Sequence, residues 1–116
     1  MAIPHASSGQ AVDVGPLGAR LRQEKTVALF KAQDLEVMRL VLAAGKSLPP
    51  HRVAGEITIQ CVEGALEVSA DGRPHVLHAG QLLYLAGGVS HGVLALQDCS
   101  ALVTVALRQQ ALPDNP

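Results

Sequence analysis

The chain has 116 residues, a length that indicates one domain with a hydrophobic core of its own. Nearly half of the residues are apolar, but Phe30 and Tyr84 are the only Phe, Tyr or Trp side chains, so aliphatic side chains must fill the interior. The formal net charge of −1 and the lack of long charged or apolar runs argue against a nucleic-acid-binding or membrane protein.

Residues 1–24 are rich in glycine, proline and small side chains, and we expect them to form a partly ordered N-terminal arm. Within it we predict one short strand at Ala11–Val14 and a single helical turn at Ala19–Lys25. Residues 1–10 lack the apolar stretch of a secretory signal, which favours a cytoplasmic protein.

Residues 25–108 contain short apolar segments separated by turn residues, and residues 109–116 form a polar tail. Turns at intervals of about 8–12 residues are typical of a β-sandwich or barrel. Asp71-Gly72 is the clearest hairpin turn, and two prolines impose an extended backbone before His51. The predicted strands are residues 26–30, 35–42, 57–62, 65–70, 73–78, 81–85, 91–96 and 101–107.

The cysteines, Cys61 and Cys99, are too few for a disulfide framework. We expect both to be reduced and buried as small hydrophobic side chains.

Two segments carry glycine and histidine at fixed spacings. The first contains Gly45, His51 and Gly64, and the second contains Gly80, Gly88 and His91. These segments resemble the two sequence motifs of the cupin superfamily, and the resemblance covers residues 45–95. It implies an all-β fold, the cupin double-stranded β-helix or jelly-roll barrel, preceded by a short N-terminal arm.

The resemblance also implies that the first motif is degenerate for metal binding. In cupins, a second histidine and a glutamate of this motif join the two outer histidines as metal ligands, and here Val53 and Ile57 stand at those positions. Glu56 lies one residue early, so it faces away unless a bulge at Gly55 turns it inward. Otherwise Glu56 is a solvated carboxylate beside a turn.

Under the cupin register, a mainly apolar set of side chains faces the barrel lumen: His51, Val53, Ile57, Ile59, Leu66, Val68, His91 and Val93. Tyr84 either reaches the mouth of the lumen or packs with its hydroxyl at the surface. Cys61 lies about 13 Å along its strand from Ile57, too far to share a metal ion with the histidines. Such a lumen is typical of a small-molecule site.

Three functions are open. The first is a single-domain cupin that binds a small, partly apolar molecule in the lumen without strong intrinsic catalysis. The alternative is a metal-dependent cupin enzyme of the dioxygenase or isomerase type, in which His51 and His91, with Glu56 or water, hold zinc, nickel, manganese or iron. The third is a structural or regulatory module whose lumen is closed by side chains.

Family resemblance also implies a homodimer. The strands predicted at residues 26–30 and 35–42 are candidates for its interface, because sheet edges need to be covered. We expect neither nucleic acid nor a membrane as a partner.

Overall fold

The computed structural model describes residues 5–107, so the predicted tail at 109–116 and the first four residues of the arm lie outside the described residues. Within residues 5–107, a 3₁₀ helix at Gly18–Gln23 is followed by nine strands. They are β1 Val27–Lys31, β2 Leu35–Leu42, β3 Ser47–His51, β4 Ile57–Glu63, β5 Ala65–Ala70, β6 Arg73–His78, β7 Leu82–Leu85, β8 His91–Ala95 and β9 Cys99–Ala106. Over this range, no helix has the length and apolar character needed to span a membrane.

The strands form two antiparallel sheets. Sheet A has the strand order β1-β2-β9-β4-β7, and sheet B has the order β3-β8-β5-β6. The β2–β9 ladder runs without a register shift from Leu35↔Ala106 to Leu42↔Cys99. This architecture confirms the predicted all-β jelly roll.

The core lies between the inner faces of the two sheets. On β5, Leu66 and Val68 are fully buried, whereas Glu67 and Ser69 point outward, because successive side chains of a strand alternate between its faces. Leu66, Val68, Ile59 and Cys61 are among the largest fully buried side chains.

The N-terminal arm, which the sequence predicts to be partly ordered, is anchored to sheet A. Arg39 is only 6% exposed, and its guanidinium donates hydrogen bonds to the carbonyl oxygens of Asp13 at 2.8 Å and Gly15 at 2.9 Å. Glu63 accepts hydrogen bonds from the backbone N–H groups of Leu17 and Gly18. These contacts hold the arm on the barrel through polar side chains.

The strand predicted at Ala11–Val14 is wrong: this segment has no strand structure. The carbonyl oxygen of Asp13 is bonded to the side chain of Arg39 rather than to a neighbouring strand. Conversely, Ser47–His51 forms a strand that the sequence predicts only as an extended approach to His51. It lies at the edge of sheet B, where proline is tolerated because one side of the strand needs no ladder hydrogen bonds.

Candidate functional site

A cavity of about 370 Å³ lies between the two sheets. Alternate side chains of β2, β4 and β9 face inward and form its sheet A wall. Most of these side chains are aliphatic. These side chains include Met38, Leu40, Ile57, Ile59, Val103 and Val105.

His51 and His91 lie together on the sheet B wall of the cavity. The two residues are directly paired on the antiparallel strands β3 and β8, so their side chains share a face. Their ring centroids are 4.5 Å apart and the rings are tilted by 50°. His91 is 5% exposed, whereas His51 is exposed. The structure therefore brings together the histidines of the two sequence motifs.

The ring of His91 is oriented by a backbone contact. Its Nδ1 lies 3.1 Å from the carbonyl oxygen of Val89. A carbonyl oxygen only accepts hydrogen bonds, so this contact assigns a proton to Nδ1 and leaves Nε2 of the neutral ring as an acceptor. No hydrogen bond from the described residues engages Nε2, which leaves that nitrogen available to a molecule in the cavity.

Val53, Ile57 and Ile59 also line the cavity, at the places expected from the sequence. Two of these residues, Val53 and Ile57, occupy positions where the resemblance implies metal ligands, and neither can donate an electron pair to a metal. Within residues 5–107, no group of three His, Cys, Asp or Glu side chains is placed to hold a metal ion. A catalytic zinc site normally has three protein ligands, so this donor set does not fit a resident catalytic metal.

Glu56 and Tyr84 are not among the residues that line the cavity, and both are exposed, so each takes the surface placement of the two that the sequence leaves open. The Tyr84 hydroxyl donates a hydrogen bond of 2.7 Å to Oε2 of Glu56, and both residues are exposed. This hydrogen bond to Glu56 is the main reason that the pKa of Tyr84 is raised above its ordinary value. On β7, Leu85 is buried whereas Tyr84 and Leu82 point outward, so strand alternation explains the placement.

Leu66 and Val68 do not line the cavity, although the cupin register places them in the lumen. They belong to the closed part of the core, together with Cys61 and Cys99. Val93, by contrast, lines the cavity as predicted from that register. The barrel interior is therefore divided into a packed region and an open region.

Both cysteines are free and buried, as expected. Burial raises the pKa of Cys61, and it also raises that of Cys99, to about 11, with smaller contributions from the nearby Cys61, Asp98 and Glu63. A thiol with a raised pKa is a weak nucleophile at neutral pH. Neither cysteine is therefore suited to act as a nucleophile at neutral pH.

Glu36 is a cavity residue that the sequence does not single out. It is half-buried on β2 and pairs with Val105 of β9. Its position two residues before Met38 on the same strand places it on the inward face, and that alternation is the signal that could have identified it.

The loop 52–56 forms part of the cavity rim, and backbone contacts hold it in place. The N–H of Gly88 donates to the carbonyl oxygen of Val53 at 2.8 Å, and the N–H of Ala106 donates to that of Glu56 at 2.9 Å. Gly55 is buried against Ala106, where a side chain would overlap the carbonyl oxygen.

Comparison with known proteins identifies relatives of this fold. The family model described as "Cupin domain" matches residues 38–106. A conserved protein of unknown function from Streptococcus pyogenes is similar in structure, with a TM-score of 0.72 and 19% identity over 95% of this chain and 97% of that chain. An RmlC-like cupin protein from Desulfovibrio desulfuricans has a TM-score of 0.69 and 27% identity over 84% of this chain and 97% of its own.

A salicylate 1,2-dioxygenase mutant from Pseudoaminobacter salicylatoxidans is also similar in structure. Its TM-score is 0.66 at 17% identity, and the match covers 70% of this chain but 25% of the dioxygenase chain. This similarity extends to the fold alone. Comparison of the sequence with curated proteins finds no match.

Proposed function

This chain belongs to the cupin family, and we propose that its barrel binds a small, largely apolar molecule in the cavity between the two sheets, without a resident catalytic metal. The observation that carries this proposal is the open cavity of about 370 Å³ with aliphatic walls and few polar groups. Small-molecule sites commonly combine a volume of roughly 300–1,000 Å³ with this distribution of polarity.

Aliphatic walls favour an apolar ligand, because such a ligand loses contact with water when it enters the cavity. The paired imidazoles of His51 and His91 are suited to orient it. Nε2 of a neutral His91 would accept a hydrogen bond from a hydroxyl or N–H group of the ligand. The expected role of the histidines is thus recognition of one polar group at the end of an apolar body.

The alternative metal-dependent enzyme is less well supported, because two imidazoles are a small ligand set for a catalytic ion. Val53 and Ile57 add apolar surface where further ligands would be needed. Glu56 is bonded to Tyr84 outside the cavity and does not complete the set.

A cavity-filling variant tests the proposed binding site. Val105 lines the cavity, so we expect Val105→Phe to occupy the space that a ligand needs. The probe is 2-phenylethanol, titrated into ¹⁵N-labelled protein and followed by amide chemical shifts. We expect shifts around the cavity in the parent protein and at least a tenfold weaker affinity in Val105→Phe.

Val76→Phe is the matched control, because Val76 is exposed on β6 and does not line the cavity. It should bind 2-phenylethanol like the parent protein, and thermal unfolding should show that both variants are folded. Equal binding by all three proteins, or no binding by any of them, would contradict the proposal.

Removal of metal by a chelator separates the two candidate functions. A resident metal ion would stabilise the native state by mass action, so its removal would lower the melting temperature. We expect extensive chelation to leave the melting temperature unchanged, because the proposed site holds no such ion. Stoichiometric metal in the purified protein, lost together with a catalytic activity in His91→Ala, would favour the enzyme instead.

A further inference from the structure

We propose that the cavity selects a small organic amine, with the carboxylate of Glu36 as the group that binds its ammonium. This inference rests on the proposed function, since it names the chemical class of the molecule bound in the same cavity. Glu36 would then determine charge specificity, while the aliphatic walls hold the body of the ligand.

The side chains around the cavity argue against an anionic ligand. The ionisable residues that line it are Glu36, His51 and His91, and neither lysine nor arginine is among the lining residues described. A carboxylate or phosphate ligand would lose its hydration without gaining a permanent cationic partner, and burial of an unpaired charge is costly. The carboxylate of Glu36 on the cavity wall would also repel an anionic ligand, which adds to that cost.

The position of Glu36 gives an ammonium group a partner inside the site. Glu36 lies beside Val105 of β9, and Val105 in turn lies beside Ile57 of β4, so the carboxylate borders the aliphatic wall of sheet A. The histidines lie on sheet B, and facing sheets pack about 10 Å apart. A ligand with an amine at one end and a hydrogen-bonding group at the other could contact both walls.

Among residues 5–107, Glu36 forms no ion pair. In the part of the chain that the structure describes, no cationic side chain lies within 4.0 Å of the Glu36 carboxylate. The ion pair in this part of the chain joins Arg22 and Asp98 instead. Lys31 is its cross-strand neighbour on β1, but this lysine is exposed and does not line the cavity. No cation of the described residues therefore competes with an ammonium ligand for this half-buried carboxylate, and a charge-assisted hydrogen bond is roughly twice as strong as a neutral one.

Three probes of nearly equal size test the charge preference: 2-phenylethylammonium, 2-phenylethanol and phenylacetate. Their affinities are measured by amide chemical-shift titration at neutral pH and low ionic strength. We expect the ammonium compound to bind at least tenfold more tightly than the alcohol, and phenylacetate to bind most weakly. Glu36→Gln should lose this preference, so that it binds the ammonium compound and the alcohol with similar affinities.

Glu67→Gln is the matched control, because Glu67 lies on the outer face of sheet B and not at the cavity. It should retain the preference for the ammonium compound. If the alcohol binds but the parent protein shows no ammonium preference, or Glu36→Gln keeps that preference, the amine inference is overturned and the proposed function stands. If none of the probes binds, both are overturned.

Discussion

At the scale of single residues, Glu63 connects the N-terminal arm to the barrel. Its carboxylate accepts hydrogen bonds from the N–H groups of Leu17 and Gly18 and from the hydroxyl of the fully buried Ser100. Burial alone raises the pKa of Glu63, but these hydrogen bonds and the charge of Arg39 outweigh burial and lower it below the ordinary value of 4.5. The folded state therefore favours the ionised carboxylate.

This lowered pKa predicts a pH-dependent contribution to stability. The contribution is complete above the ordinary glutamate value of 4.5 and is lost as the pH falls through the lower folded-state pKa. We expect Glu63→Gln to reduce the free energy of unfolding by about 2 kcal/mol at pH 7. The difference from the parent protein should shrink below pH 4.5, as measured by urea denaturation over a series of pH values.

Glu67→Gln serves as the comparison, because the side chain of Glu67 forms no hydrogen bond or ion pair among residues 5–107. It should change the free energy of unfolding little at any pH. A loss in Glu63→Gln that is equally large at pH 7 and well below pH 4.5 would contradict the role of the ionised carboxylate.

The sequence predicts the site residues unequally. The two cupin-like motifs identify His51 and His91, which stand at the end of β3 and the start of β8. The cupin register then identifies Val53, Ile57 and Ile59 as cavity residues. Which part of the lumen stays open depends on side-chain packing between distant strands, so the sequence alone cannot distinguish lining residues from those buried in the core. Glu36 lines the cavity because alternate side chains of β2 face inward, but this residue belongs to neither motif.

At the scale of the elements, the loop 52–56 depends on one residue without a side chain. Gly55 is buried, and a Cβ atom there would overlap the carbonyl oxygen of Ala106. We expect Gly55→Ala to destabilise the fold by about 1–3 kcal/mol, the usual range for overpacking, because backbone must move to relieve the overlap. Thermal unfolding should show this as a melting temperature lowered by several degrees.

Gly15→Ala is the control for this substitution. The nearest atom to its added Cβ is the side-chain oxygen Oδ1 of Asp13 at 3.3 Å, which can move away. We expect a smaller loss of stability than in Gly55→Ala, because a side-chain atom and not a backbone atom has to shift. Equal melting temperatures for the two variants would show that the 52–56 loop adapts freely.

The elements are predictable where local chemistry decides them. Asp71 and Gly72 both have positive φ, 50° and 82°, so the turn residues alone fix the β5–β6 hairpin and both strands have their predicted bounds. Ser47–His51 depends instead on tertiary context, because its prolines are compatible with a strand only at a sheet edge. Ala11–Val14 has strand-like residues, but the backbone is engaged by Arg39.

At the scale of the whole molecule, the homodimer stays a prediction, and the structure changes where we expect its interface. The arm already covers part of β1, since the N–H of Ala6 donates to the carbonyl oxygen of Leu29 at 2.8 Å, and Arg39 fixes the arm over β2. The edge strand β7 instead presents Leu82 and Tyr84, which are 61% and 56% exposed. We expect pairing along β7 to bury these side chains.

A charged substitution tests this interface. We expect Leu82→Lys to convert a dimer into a monomer, because a lysine at the contact would lose hydration without a partner. Light scattering coupled to size-exclusion chromatography gives the mass. Val76→Lys, on the edge strand β6 of sheet B, should remain dimeric, and a monomeric parent protein at micromolar concentration would contradict the prediction.

The β2–β9 ladder has a consequence for how the protein is made. It pairs the second strand with the ninth, and β9 also pairs with β4. Strands β2 and β4 therefore each lack one of their two neighbours until β9 has left the ribosome. Pairing between segments so far apart in sequence is slow, because chain entropy is lost before the contacts form. Until β9 is available, the nascent chain therefore carries unpaired strand edges that can aggregate, and chaperones that bind such edges would favour correct closure.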